Sequence, residues 1–331
     1  FEDYKAPTTP GYESGYLQNN NFRNRMYNFE LLALYNNSWG NFDFNATLGG
    51  NLYKVNNQTI VTTAKDMKIR DVVALMSFNE VSVEPYSYRK QINSIYGAVN
   101  LGWKHMLYFD ATLRGDQSST LPISNNMYIY PSFSGSFVFS ELLKLGDKLP
   151  YGKVRMSWAQ VGSDTDPYQL GLVYTKSKFA YPGYTIGDIS NGTIPNKDLK
   201  PTKTNSFEMG LELKFLKNRI GLDFTYYSQL SKNQIMGMAS SSTSGYGYRL
   251  INAGEIENKG VEIALNTRPI QTKDFSWDLN FNFSKNSNKV KKLVDDMDMF
   301  ELEKATWLDV QVAAKVGENF GSIVGPDFQR N

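Results

Sequence analysis

Apolar side chains recur at every second position through much of this chain, and that period constrains its fold more than any other feature. A period of two describes an extended strand with one apolar and one polar face. Phe42, Phe44, Ala46 and Leu48 alternate with Asp43, Asn45 and Thr47. Phe207, Met209, Leu211, Leu213 and Phe215 alternate with Glu208, Glu212 and Lys214. Ile220, Leu222, Phe224 and Tyr226 do so with Asp223 and Thr225, and Val261, Ile263 and Leu265 with Glu262 and Asn266. Phe275, Trp277, Leu279, Phe281 and Phe283 alternate with Ser276, Asp278, Asn280, Asn282 and Ser284. Val99–Trp103, Leu107–Leu113, Phe133–Phe139, Val154–Trp158 and Phe22–Tyr35 read similarly. The pattern predicts about ten strands, several near the ~10 residues that cross a bilayer as tilted β-structure.

The links between these strands alternate in length. Asn36–Gly40, Lys104–Met106, Leu216–Arg219 and Arg268–Asp274 are short, and Glu141–Gly152 is moderate. Lys54–Gln91, Gly115–Met127, Ser163–Lys203, Asn233–Lys259 and the stretch after Lys285 are longer. Consecutive antiparallel strands place alternate links on opposite rims. One rim therefore has short turns and the other long loops, as in outer-membrane barrels with periplasmic turns and extracellular loops. A soluble sandwich or propeller also has alternating strands. The strand lengths, the loop alternation and the Asp, Asn, Ser and Glu of the polar face favour the membrane barrel. So do aromatic residues at strand ends, such as Tyr35, Trp39, Trp103, Tyr108, Tyr128, Tyr130, Tyr226 and Tyr227, which suit headgroup level.

Composition removes several other classes. The 331 residues carry 35 Lys plus Arg against 33 Asp plus Glu, a net charge of +2 that gives no reason to expect nucleic acid. Mean hydropathy is negative, and no apolar run approaches the ~20 residues of a membrane helix. A barrel remains allowed, because its alternating strands average out to mildly polar. Cysteine is absent, which excludes disulfides and a thiol nucleophile. The single histidine, His105, reads as a turn residue and leaves His triads and multi-His metal sites little to draw on. No leader peptide opens the chain, so residue 1 is not expected to be the natural start.

Some motifs invite a sharper reading and do not carry it. Arg114-Gly115-Asp116 spells an adhesion tripeptide, but at a strand end. Asp295, Asp296 and Asp298 lack the calcium-loop spacing with its Gly and distal Glu, and read as a solvated acidic loop; Asp164 and Asp166 call for the same caution. Carboxylate pairs are plentiful, yet none is marked as a glycosidase pair. Ser240–Tyr248 reads as a mobile loop, whose Tyr246 and Tyr248 suit either a ligand ring or a neighbouring loop.

Several stretches resemble the SusC/RagA type of TonB-dependent outer-membrane transporter. They are Tyr108–Ser119, with Arg114, Asp116, Ser118 and Ser119 in place and Gln117 where the family has Gly, then Tyr130–Phe137 with Ser140-Glu141, and Lys153–Gly162. Asn196–Gly210 and Asn252–Glu262 follow, the second leading into Phe275-Ser276-Trp277 and Asn286–Val290. Val316-Gly317-Glu318, Phe320–Ile323 and Gly325 complete the set. The resemblance covers roughly residues 90–325 in order. These motifs are structural, their glycines permitting turns and bulges.

The resemblance implies an all-β fold, a transmembrane antiparallel β-barrel of which this chain is a portion, the whole being a plugged barrel of about 22 strands. Residues 1–331 are then one partial barrel domain with long extracellular loops near 54–91, 163–203, 233–259 and 287–331. The plug and the TonB-binding segment are not expected within this chain. The implied function is TonB-dependent import of a glycan or peptide nutrient across the bacterial outer membrane, with a SusD-like surface lipoprotein as partner and outer-membrane lipid around the barrel. No enzyme activity, cofactor or metal is expected. Long loops rich in Tyr, Asn and Ser suggest Tyr181, Tyr184, Tyr246, Tyr248 and Arg249 as ligand contacts, since rings offer flat surfaces and Arg a fork for carboxylates or carbonyls. A passive porin and a soluble β-rich adhesin or carbohydrate-binding protein stand as alternatives.

Overall fold

The computed structural model describes residues 2–69, 72–144, 146–172, 174–176, 184, 187–189, 192–294, 297–305 and 309–326. The alternating segments form a meander of long strands. In chain order these are β1 (Glu2–Lys5), β2 (Tyr16–Trp39), β3 (Phe42–Met67), β4 (Phe78–Trp103), β5 (Leu107–Ser118), β6 (Met127–Val138) and β7 (Tyr151–Ser163). A one-turn helix, α1 (Ser140–Leu143), lies between β6 and β7. Three short strands follow: β8 (Tyr174–Lys176), β9 (Gly187–Ile189) and β10 (Thr193–Ile194). The meander resumes with β11 (Thr202–Phe215), β12 (Ile220–Ala239), β13 (Tyr248–Gln271) and β14 (Ser276–Lys292). Finally β15 (Met299–Lys304), β16 (Gln311–Lys315) and β17 (Ser322–Val324) form a separate three-stranded sheet.

The main sheet runs β1-β2-β3-β4-β5-β6-β7-β11-β12-β13-β14, with β10 joining β13 in parallel. All its other pairings are antiparallel. The register carries the alternation across the whole sheet. One row of directly paired residues reads Trp39, Phe42, Trp103, Leu107, Phe137, Val154, Leu211, Phe224, Ile263 and Phe283. The adjacent row, on the opposite face, reads Ser38, Asp43, Gly102, Tyr108, Ser136, Arg155, Gly210, Thr225, Glu262 and Ser284. One face is thus continuously apolar and the other continuously polar.

Along each strand the apolar run is limited. On β11 it extends from Phe207 to Phe215, a rise close to the ~25 Å apolar band of an outer-membrane barrel once strand tilt is included. On β2 the run lies at Phe29–Trp39, whereas beside β14 it lies at Phe275–Phe283. Since Trp39 and Phe283 share a row, the band crosses the rows obliquely, as it must when tilted strands stand in a flat bilayer. At the short-turn end Trp39, Phe42 and Trp103 sit on neighbouring strands, the rings of Phe42 and Trp103 6.4 Å apart, as an interfacial girdle would.

The sheet has no covering layer among the described residues. Among the described residues, buried apolar side chains form two small clusters, Leu17, Ala64 and Phe78 at one end and Val290, Leu293 and Ala314 where the three-stranded sheet meets β14. Trp277 and Phe281 are exposed, and Phe207, Leu211 and Phe224 are half-covered only by sheet neighbours. A soluble sandwich would bury this face; here no layer of the described residues covers it.

The link lengths alternate less sharply than expected, since the 139–150 link on the short-turn rim outruns the 68–77, 119–126 and 240–247 links of the other rim, and two expected loops are largely strand. Residues 54–91 are not a loop: β3 runs to Met67 and β4 starts at Phe78. Residues 233–259 likewise shrink to a link at 240–247. Beyond the apolar band neither face is confined to hydrocarbon, so the period disappears while ladder hydrogen bonding continues through Thr, Val, Ile and Asn. Strand β2 extends past its expected Phe22–Tyr35 for the same reason. Residues 163–203 remain a long connection, carrying β8, β9 and β10. In residues 287–331 the strand β14 continues to Lys292 before β15–β17. The turn at Lys104-His105 uses left-handed backbone at both residues (φ 53°), with Met106 N–H donating to the Trp103 carbonyl at 3.0 Å.

Candidate functional site

The polar face is a set of ion pairs and hydrogen bonds between strands, and the alternation selects its members. On β5, Arg114 and Asp116 lie two residues apart and so on the same face, with Arg114 Nε 2.9 Å from Asp116 Oδ1. Tyr130 from β6 donates its hydroxyl to the other carboxylate oxygen, and Arg114 also reaches Ser94 Oγ on β4 at 2.9 Å. The guanidinium carbon stands 5.1 Å from the Tyr96 ring centre, and Tyr96 in turn bonds Glu30 on β2. The adhesion tripeptide is therefore internally paired, with Asp116 buried.

A second group lies on β7, β11 and β12. Arg155 clamps Asp223 through two bonds of 2.9 and 2.7 Å and reaches Thr225 at 2.6 Å. It lies flat across β11, where Gly210 faces it; a Cβ there would stand 2.4 Å from Arg155 Nε. Glu262, Asn282 and Ser284 complete a polar pocket of about 390 Å³ beside this pair.

The third group stands at the long-loop end. Asp164, just past the end of β7, accepts from Lys90 Nζ at 2.6 Å, Ser118 Oγ at 2.5 Å and Thr120 Oγ1 at 3.2 Å. These residues come from three separate stretches of chain. Beside them a pocket of about 350 Å³ is lined by Lys90, Asp164, Thr165, Asp166, Gln169, Gln234 and Leu250, among others. It offers cationic, anionic and amide groups within one cleft at the mouth, a set able to hold an elongated polar ligand by hydrogen bonds.

The sequence-based ligand residues fall around this cleft unevenly. Tyr246 is half-buried, and Tyr248 and Arg249 begin β13 beside β10. Successive strand residues point to opposite faces, so Tyr248 shares a face with the cleft-lining Leu250 while Arg249 points away. Tyr184 is exposed on the 163–203 connection, and Tyr181 lies outside the described residues. Lys90, Ser118 and Thr120 were missed, because each is an ordinary polar residue until folding brings it to Asp164. The only available signal was the pair Ser118-Ser119 after the Arg114/Asp116 stretch. Asp295 and Asp296 also lie outside the described residues, so their acidic loop has no structural description.

Comparison with known proteins adds the wider context. The family described as TonB dependent receptor-like, beta-barrel matches residues 2–309. The TonB-dependent receptor P3 of Formosa agariphila is 28% identical over 314 residues, covering 91% of this chain and 31% of that protein. The TonB-dependent receptor SusC of Bacteroides thetaiotaomicron is 30% identical over 225 residues, covering 65% of this chain and 22% of that protein. Among solved structures, the RagAB peptide transporter superposes with a TM-score of 0.83 at 21% identity, over 96% of this chain and 35% of that one. The Escherichia coli outer membrane transporter YddB superposes with a TM-score of 0.56 at 13% identity, over 83% and 34% of the two chains. The chain thus spans about a third or less of the length of these relatives.

Proposed function

The chain belongs to the TonB-dependent receptor-like β-barrel family, and on that premise we propose that it forms part of the wall and mouth of an importer in the bacterial outer membrane, which takes up a glycan or peptide nutrient with energy delivered through TonB. The observation that carries this reading is the two-faced single sheet. A continuous apolar face suits lipid, and a continuous polar face with fixed ion pairs suits the lining of a passage. A SusD-like surface lipoprotein is the proposed partner at the long-loop end. Ligand contacts are proposed at the cleft of Lys90, Asp164, Asp166, Gln169 and Gln234, with Tyr248 at its edge and Tyr181, Tyr184, Tyr246 and Arg249 on the surrounding segments. Paired opposite charges and amides favour a peptide, whose backbone and termini present matching groups, and the peptide named for RagAB agrees with that preference.

The test is uptake of labelled oligopeptides and oligosaccharides by cells carrying the full-length protein, with and without TonB. Uptake of one class should vanish when TonB is deleted. Uptake that persists unchanged without TonB would identify a passive porin instead.

A further inference from the structure

On β2, β3 and β4 the apolar face continues upward, beyond the band, into a cluster of cations. Counting every second residue from Trp39, the face carries Phe29, Tyr27, Arg25 and Arg23 on β2. It carries Leu52, Lys54, Asn56 and Gln58 on β3, and Ile95, Asn93, Gln91, Arg89 and Ser87 on β4. The register shows no slip over these positions: Arg25, Asn56 and Arg89 share one row, and Arg23, Gln58 and Ser87 the next. Neighbouring strands lie ~4.8 Å apart, so the three guanidinium groups branch from a surface about 10 Å wide. Arg23, Arg25, Asn56, Gln58, Ser87 and Arg89 line an open recess of about 260 Å³.

Charge is segregated between the two faces. From Asn21 to Trp39, Phe42 to Ala64 and Val81 to Trp103, this face holds four cations and no acidic side chain. The acids of the same strands, Glu30, Asp43 and Glu84, fall on the other face. Among the described residues no carboxylate lies within ion-pair distance of Arg23, Arg25, Lys54 or Arg89. The side-chain oxygen of Asn56, at the centre of the cluster, is buried and has no hydrogen-bond partner. A half-turn of that amide presents its N–H₂ to the same space. Cations this close repel one another, and an anion bound between them removes that cost.

Height selects the anion. Counting every second residue on this face, Lys54 stands one position above Leu52 at the top of the band, Arg25 two above Phe29, and Arg89 three above Ile95, with apolar residues returning only higher, at Ile60 and Val83. With tilted strands these positions lie about 5–15 Å above the apolar band, the depth of headgroups. We infer that Arg23, Arg25, Lys54 and Arg89 form a binding site for the phosphate groups of an outer-leaflet lipopolysaccharide headgroup, held against the outside of the barrel. The inference rests on the outer-membrane reading above and goes beyond it, since it concerns the lipid side of the wall and not the nutrient.

The experiment uses the full-length protein purified in detergent and native mass spectrometry to count bound lipid. Diphosphorylated lipid A, dephosphorylated lipid A and inorganic phosphate are the probes. The wild type should retain the diphosphorylated lipid and release the dephosphorylated one, and equimolar inorganic phosphate should not displace it. The triple variant Arg23→Gln, Arg25→Gln, Arg89→Gln should weaken retention, by about fivefold per arginine removed. Equal retention by wild type and variant, equal retention of the two lipids, or displacement by inorganic phosphate would each overturn the site. If the variant fails to show the folded band on an unheated gel, the two-lipid comparison with wild type still decides. Fractionation of the same cells separates the two claims: wild-type protein missing from the outer membrane sinks the transporter reading, whereas its presence there with lipid-independent behaviour sinks only this site.

Discussion

Single residues show how the polar face accommodates large side chains. Gly49 on β3 sits directly opposite Tyr96 on β4, and a Cβ at Gly49 would lie 2.3 Å from the ring. The missing side chain lets the tyrosine lie flat, which is the pose that places its hydroxyl on Glu30 and its ring under Arg114. Gly49→Ala should therefore displace Tyr96 and destabilise the full-length barrel by about 1–3 kcal/mol, a cost typical of overpacking. Urea titration of the folded and unfolded gel bands measures it. In a Tyr96→Ala background the same change should cost far less, because the clash partner has gone. Equal costs in both backgrounds would mean that Gly49 serves some other purpose.

At the scale of strands, each element is one-sided, and the two sides tolerate opposite changes. Leu211 is central in the apolar run of β11, between Val154 on β7 and Phe224 on β12. Leu211→Arg should cost ~2–4 kcal/mol in a bilayer, as for a charge near the midplane of a barrel wall. Glu212→Gln, one residue away and on the polar face, should leave bilayer stability nearly unchanged. Folding titrations of the full-length protein into lipid vesicles compare the two. Similar losses would contradict the assignment of faces. The strands β2, β3 and β4 add a further property of elements: they outrun the band and together carry the cationic cluster of the outer face above it.

For the whole molecule, the question is what the long-loop end does. The 163–203 connection, the hairpin end at 68–77 and the link at 240–247 all lie on that rim. A connection as long as 163–203 is usually either functional or disordered. A SusD-like lipoprotein docked there should bury more than ~1,000 Å² if the contact is stable. Gentle detergent extraction of the full-length protein from its native membrane, followed by mass spectrometry, should recover a lipoprotein at comparable abundance. A barrel recovered alone would remove the partner and favour loops that fold inward.

Residue order alone decides which side of each strand is apolar, because a strand's side chains alternate with an invariant period and lipid tolerates only one kind. It also determined the two rims, since short and long links alternate in an antiparallel meander. The turn at Lys104-His105 and the apolar run from Phe207 to Phe215 were legible in the same way. It did not reveal how far β3, β4, β12 and β13 extend, since above the band no apolar period marks a strand and only ladder hydrogen bonding sustains it. Nor did it reveal the site. Lys90 and Asp164 are 74 residues apart, Arg155 and Asp223 are 68 apart, and nothing local links either pair. Their meeting depends on cross-strand register and on the neighbours that the fold assigns each strand. The cationic cluster of Arg23, Arg25, Lys54 and Arg89 arose in the same way: parity placed each residue on the outer face, and only the register of three adjacent strands gathered the three arginines around one recess with Lys54 just below it.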